Sequence, residues 1–197
     1  YDLPASFADF IISSFAEKIA DKYEQVIWGG VNGNAGEFDG FCPLLLADGG
    51  VDVAATPVTA ANVIAELQKV TAAIPAAIYN KEDLHIYVGS AIYRFYVQAL
   101  GVVGAGSGIE NKGTLWFNGT PLTVDGVKIF YSPGMPANSM VASTVDNLFF
   151  GCGLKSDFNE IRLIDMADID GSQNVRFIQR WKAGIQYGIR EDIILYQ

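Results

Sequence analysis

Asn147-Leu148-Phe149-Phe150-Gly151-Cys152-Gly153 and, closing the chain, Asp192-Ile193-Ile194-Leu195-Tyr196 are the stretches on which the fold turns. Between them, Asn159-Glu160-Ile161-Arg162-Leu163-Ile164-Asp165 and Asn174-Val175-Arg176-Phe177-Ile178-Gln179-Arg180-Trp181-Lys182 alternate apolar and polar residues. That period of two belongs to strands with one covered face. Joined by the turn at Asp170-Gly171, the two segments are expected to pair as one long antiparallel ribbon. Gly184-Ile185-Gln186-Tyr187-Gly188-Ile189 then leads into the final strand. Residues 146–197 therefore read as sheet, and none of them forms a recognisable catalytic motif.

Moving outward, Met140-Val141-Ala142 is a further strand, set off by Pro133-Gly134-Met135-Pro136. Before it, Leu115-Trp116-Phe117, Leu122-Thr123-Val124 and Val127-Lys128-Ile129-Phe130-Tyr131 are separated by Asn118-Gly119 and Asp125-Gly126. These are two type I′ turn signals, because such turns need positive φ at both central positions. The sequence Asn118-Gly119-Thr120 also fits a glycosylation acceptor, but with no secretion signal it is read as a turn. Gly101 to Gly108 is rich in glycine and superficially like a dinucleotide fingerprint. It follows a helical pattern instead of a strand, so a flexible surface loop is expected.

The first half is mixed. Ser6 reads as a helix N-cap, followed by Phe7, Phe10, Ile11, Phe15, Ile19, Tyr23, Val26 and Ile27 at helical spacing. Gly29-Gly30 is expected to end this long amphipathic helix in the left-handed conformation. Gly29 to Gly40 invites a phosphate-loop or calcium-loop reading but lacks the lysine, flanking elements and spaced carboxylates that either requires. It reads as a turn-rich loop. Phe41 to Leu46 is a short buried segment closed by Asp48-Gly49-Gly50. Thr59 is expected to cap a second helix with Val63, Ile64, Leu67, Val70 and Ile74 on one face, stopped by Pro75. Leu84-His85-Ile86-Tyr87-Val88 alternates as a strand, and Gly89-Ser90 opens a third helix from Ala91 to about Leu100. The class that follows is α+β, helices packed on a sheet.

Composition limits the chemistry. Half of the 197 residues are hydrophobic and 18% are charged, so there is apolar surface enough to offset the entropy of ordering. A net charge of −9 disfavours a general grip on phosphates, and no basic cluster is segregated; Arg176, Arg180, Lys182 and Arg190 are spread along strands. No apolar run reaches the roughly 20 residues of a spanning helix, so no membrane partner is expected. Cys42 and Cys152 form no disulfide framework, which favours a reducing compartment and leaves a single cystine open.

Four groups could carry catalysis. His85 is the sole histidine and sits mid-strand, so any Ser-His-Asp or Cys-His scheme must pass through it. Ser90 and Cys42 have no context that would activate a nucleophile, and one histidine with two remote cysteines does not make a zinc site. Asp165, Asp168 and Asp170 are the remaining candidates, as paired carboxylates supply general acid/base or divalent-metal chemistry. Flanking an Asp-Gly turn, they read first as turn formers. No catalytic, cofactor-binding or metal residue is assigned.

Taken in order, the long helix ending at Trp28-Gly29-Gly30, its Gly/Asn loop, the helix opening Val58-Thr59-Ala60-Ala61-Asn62-Val63, and Asn147-Leu148 before Gly151 resemble HK97-like major capsid proteins of tailed bacteriophages. Ile161 to Asp165, Val175-Arg176-Phe177, and Lys182-Ala183-Gly184 before a closing strand add to the resemblance, which covers nearly the whole chain. It implies a spine helix with a long β-ribbon in a peripheral domain, and helices around a central sheet in an axial domain. On this division residues 1–55 carry the spine helix and the following loop and strand, 56–155 are mainly axial, and 156–197 form the long ribbon and closing strand shared between the two domains. Some members of the family cross-link a Lys to an Asn of a neighbour, but no motif here places that bond.

The resemblance further implies self-assembly into an icosahedral shell enclosing phage DNA, through hexamers and pentamers. Portal and scaffold proteins are possible partners, no sequence-specific nucleic acid is expected, and the location implied is the virion, assembled in the host cytoplasm. Family members normally carry an N-terminal arm and extended loop before the spine helix, and this sequence starts at the helix; a monomer or weak oligomer is the expectation for a chain without them. Two alternatives stand beside this one. A soluble α+β enzyme or ligand-binding domain would use Asp165, Asp168 and Asp170 with a pocket lined by the Gly29–Gly40 loop. An encapsulin-type compartment would share the fold.

Overall fold

Five strands form the central sheet of the computed structural model, which describes residues 5–106, 122–153, 161–171, 174–179 and 182–197. Their order is β2 (Thr123–Val124), β3 (Val127–Tyr131), β1 (Leu84–Val88), β4 (Met140–Thr144) and β9 (Ile194–Tyr196). β1 runs parallel to β3, with Ile86 opposite Ile129, and antiparallel to β4, with Ile86 opposite Ala142. A parallel pair needs a crossover, and helix α5 (Ser90–Gly106) lies between β1 and β3 in the chain. β2 and β3 are joined at Asp125-Gly126, whose φ values of 48° and 85° are those a type I′ turn requires. Of the hairpin expected around Asn118-Gly119, the strand Leu115-Trp116-Phe117 and the turn lie outside the described residues, and the second strand is β2.

Alternation along these strands gives the sheet two cores. Leu84, Ile86 and Val88, with Met140, Ala142, Ile194 and Tyr196, face α3 (Val63–Ala73) and α5, meeting Val63, Leu67, Val70, Ile92 and Tyr96. The intervening residues Val141, Ile193 and Leu195 face the other way, against Trp28 from the end of α1 (Ala5–Gly29) and Phe41, Cys42 and Leu45 of α2 (Phe41–Gly49). Each of the central strands thus presents apolar residues to both sides, which is why Ile193-Ile194-Leu195-Tyr196 is a continuous apolar run. Truncating a fully buried leucine such as Leu195 would cost about 2–5 kcal/mol.

Several expectations from sequence are corrected here. Phe41–Leu46 is buried at Phe41, Cys42 and Leu45, as expected, but it is helical; Pro43 falls in the first turn, where its missing N–H costs nothing. The second helix starts at Val63, not at Thr59: the Thr59 amide and hydroxyl both donate to Asn62 Oδ1, at 2.6 and 3.1 Å, so these side chains close a turn and neither caps. A short helix α4 (Ala76–Tyr79) follows Pro75. α5 continues through Gly101–Gly106, where a loop was expected, because glycine weakens a helix by about 1 kcal/mol per residue without forbidding it. Ser6 already lies inside α1.

Gly29-Gly30 does end α1, but neither takes positive φ. The glycines are needed for room: a Cβ on Gly30 would sit 2.5 Å from the Phe38 carbonyl oxygen, and one on Gly40 would sit 2.7 Å from the Trp28 carbonyl carbon. The loop doubles back on the helix end, and the Gly40 amide donates to the Gly30 carbonyl at 2.8 Å.

Two two-stranded ribbons complete the described structure. β5 (Leu148–Cys152) pairs antiparallel with β8 (Ala183–Tyr187), and β6 (Ile161–Asp165) pairs antiparallel with β7 (Val175–Gln179). The expected ribbon of residues 159–182 is therefore present over its described part. A one-turn helix, Ala167–Asp170, replaces a simple turn at its tip, and Gly171 closes it with φ 72°.

Candidate functional site

The described structure sets the groups that sequence offered for catalysis on several different elements. Asp165 ends β6, whereas Asp168 and Asp170 lie in the one-turn helix at the ribbon tip; their side chains lie outside the described atoms. His85 is half-buried in β1, with Nδ1 2.7 Å from the Asp83 carbonyl oxygen and its ring edge-on to Phe130. Ser90 is exposed at the first turn of α5. Cys42 is buried against Met135, and burial pushes its thiol up to about 12, the opposite of an activated nucleophile. Cys42 is buried, Cys152 is exposed, and both are free thiols, so the cystine that composition left open is not formed. Among the described residues no group of three or more His, Cys, Asp or Glu could hold a metal ion, and no helix is long and apolar enough to cross a membrane.

The Gly29–Gly40 loop does line a groove of about 520 Å³, between Ile19, Tyr23 and Val26 of α1 and Gly36 and Phe38 of the loop. Its one described carboxylate, Glu37, is already committed. Lys22, the Asn34 side-chain amide and the Val31 backbone N–H donate to it, the last two at 3.0 and 3.3 Å. Those donors hold the carboxyl at about 2, so it is ionised and occupied as the pin that shapes the loop.

What the structure presents instead is apolar surface in separate places. Phe149 and Phe150 on β5 are 54% and 51% exposed, beside exposed Val145 and Ile189. Phe130 and Tyr131 are exposed at the end of β3, and Ile169 at the ribbon tip is 67% exposed. Exposed apolar side chains clustered on short ribbons mark contact surfaces more than solvent-facing ones. The sequence marked β5 as an apolar strand but gave no sign that Phe149 and Phe150, on opposite faces, would both be exposed.

The β5–β8 ribbon is held to the body by named contacts. Leu148, Ile185 and Tyr187 pack against the core around Trp28 and Leu45. The Tyr187 hydroxyl donates to Asp48 Oδ2 at 2.5 Å; burial, and after it this bond to a carboxylate, raises the phenol to about 12. Asn147 takes the place of a backbone rung: its Oδ1 accepts the amides of Gly188 and Ile189 at 3.1 and 2.7 Å, and its Nδ2 donates to the Ile189 carbonyl at 2.8 Å.

No family model and no curated protein sequence matches the chain. Solved structures do. A chain from Mycobacterium phage Che8 superposes with a TM-score of 0.59 at 12% identity, over 94% of this chain and 61% of that one. A chain from the satellite phage P4 procapsid including size determination (Sid) protein superposes with a TM-score of 0.58 at 11% identity, over 98% of this chain and 68% of that one. This chain spans 61% of the first neighbour's length. At such identities the likeness is one of architecture: nearly the whole chain has the mixed helix-and-sheet fold found in these phage proteins.

Proposed function

We propose that the protein is a structural subunit of a phage shell, of the HK97-like major capsid type. The observation that carries the proposal is the fold likeness to a chain of the P4 procapsid along 98% of this chain, reached from a sequence whose order of elements already resembled that family. In this reading α1 is the spine of the peripheral domain within residues 1–55. The sheet with α3 and α5, within 56–155, is the axial domain, and residues 156–197 supply the ribbon and the closing strand β9.

The physical task is self-association. Copies meet through unlike surfaces that close by rotation into pentamers and hexamers, and separate exposed apolar patches on β3, β5 and the ribbon tip suit a subunit with several neighbours. DNA is enclosed and not read: a subunit with net charge −9 and no base-reading motif is suited to lining a container. Catalysis has no part in the proposal. Portal and scaffold proteins would be its partners in the host cytoplasm before the virion forms.

Expression of the complete reading frame alone, followed by sedimentation, tests the proposal. Fast-sedimenting closed particles or capsomers are expected; a product that remains a monomer at all concentrations argues against it.

A further inference from the structure

On one face of the β5–β8 ribbon, alternation places Phe149, Gly151 and Gly153 on one strand beside Gln186, Gly184 and Lys182 on the other. Gly151 and Gly184 face each other across one rung. Neither has positive φ, a Cβ on Gly184 would meet nothing within 4 Å, and one on Gly151 would meet only the Gly184 carbonyl oxygen at an ordinary 3.7 Å. Among the described residues nothing therefore requires glycine at either position, although glycine in a strand costs stability. The pair leaves a backbone-floored notch, part of a shallow depression of about 450 Å³, with the Phe149 ring leaning away from it toward Gly188.

We infer that this face docks on the same face of a second copy, the two ribbons stacked antiparallel about a two-fold axis so that Phe149 of each fills the Gly151–Gly184 notch of the other. The face is self-complementary in shape, because knob and notch sit one same-face step apart, about 7 Å. It is also complementary in charge. Exposed Lys182 marks one end of the ribbon and exposed Asp146 the other, so antiparallel stacking brings each cation to the partner's acid. A parallel stack would set like charges together. Glycines that no contact among the described residues explains are then explained by the close approach of a second backbone. The inference draws its partner, a second copy, from the shell reading and names one contact within it.

Sedimentation velocity on the full chain tests it with four variants. Gly184→Leu fills the notch, and should weaken self-association about tenfold or more while leaving the thermal midpoint of the dissociated chain unchanged or higher. Lys182→Glu and Asp146→Lys should each weaken association, and the double variant should restore it. Association unchanged in Gly184→Leu, absence of charge rescue, or a wild-type chain that stays monomeric up to its solubility limit would each overturn the inference. Electron microscopy separates it from the shell reading. Particles that form equally well from Gly184→Leu sink the docking face alone, and a Gly184-sensitive dimer that never builds particles sinks the shell alone.

Discussion

The Tyr196 hydroxyl lies 2.9 Å from Glu66 Oε2, joining the last strand of the chain to α3 in the interior. The same oxygen accepts the Thr56 amide at 3.1 Å. Burial alone would raise the Glu66 carboxyl, but hydrogen bonds from Lys69, Tyr196 and Thr56 outweigh it and leave the group below its usual range. Tyr196→Phe should therefore destabilise the protein by about 1–3 kcal/mol, since the buried Glu66 carboxylate loses a donor and the part-buried bond from the Thr56 amide is lost as well. Chemical denaturation of both proteins checks this; an equal midpoint would mean that the triad carries no stability.

Gly134 rests on the backbone of α1, where a Cβ would come within 2.2 Å of the Glu24 carbonyl. Ser132 donates to Glu24 Oε1 at 2.6 Å from the same loop, and Trp28 Nε1 donates to it at 3.3 Å. Gly134→Ala should force α1 off the sheet at a cost of about 1–3 kcal/mol, read as a loss of Trp28 fluorescence anisotropy or a lower thermal midpoint. An unchanged midpoint would show that α1 is free to shift.

Asn147→Ala removes three hydrogen bonds to Gly188 and Ile189 and leaves their backbone groups without that partner. We expect a loss of about 1–3 kcal/mol, with amide exchange accelerating first in β5 and β8. Uniform acceleration across the sheet would contradict the assignment of Asn147 to the ribbon.

Glu37 gives a pH dependence whose sign is fixed by its pKa, about 2 in the folded chain against an ordinary 4.5. A depressed carboxylate contributes stability that is fully present above 4.5 and lost as pH falls toward 2. Wild type should accordingly be more stable than Glu37→Gln at pH 6, and the gap in thermal midpoint should close between pH 4.5 and 2. A gap independent of pH would assign the effect to shape alone.

Much of this architecture is legible in sequence where the cause is local. Asp125-Gly126 announces its turn because positive φ selects those residues, and β1 shows itself by alternation. The run Ile193 to Tyr196 is apolar throughout because two cores need it, a fact about both faces that no period reveals. Phe41–Leu46 is too short for its helical period to register, and Gly101–Gly106 has the composition of a loop and the backbone of a helix. Pairing of β1 with β3 joins segments about forty residues apart, so it is invisible locally. Glycines mislead most: Gly134 is required by α1 across the fold, and Gly184 by no contact among the described residues. The acids at 165, 168 and 170 lie at the end of β6 and in the one-turn helix Ala167–Asp170, a helix too short for any period in the sequence to announce.

Electron microscopy of the product of the complete reading frame, with a reconstruction of whatever it forms, measures the central claim most directly. The account predicts closed shells whose walls are pentamers and hexamers of this fold, with the β2–β3–β1–β4–β9 sheet gathered toward the ring centres and α1 toward the periphery. A protein that forms no ring or shell, and remains a monodisperse monomer under the same conditions, would contradict it.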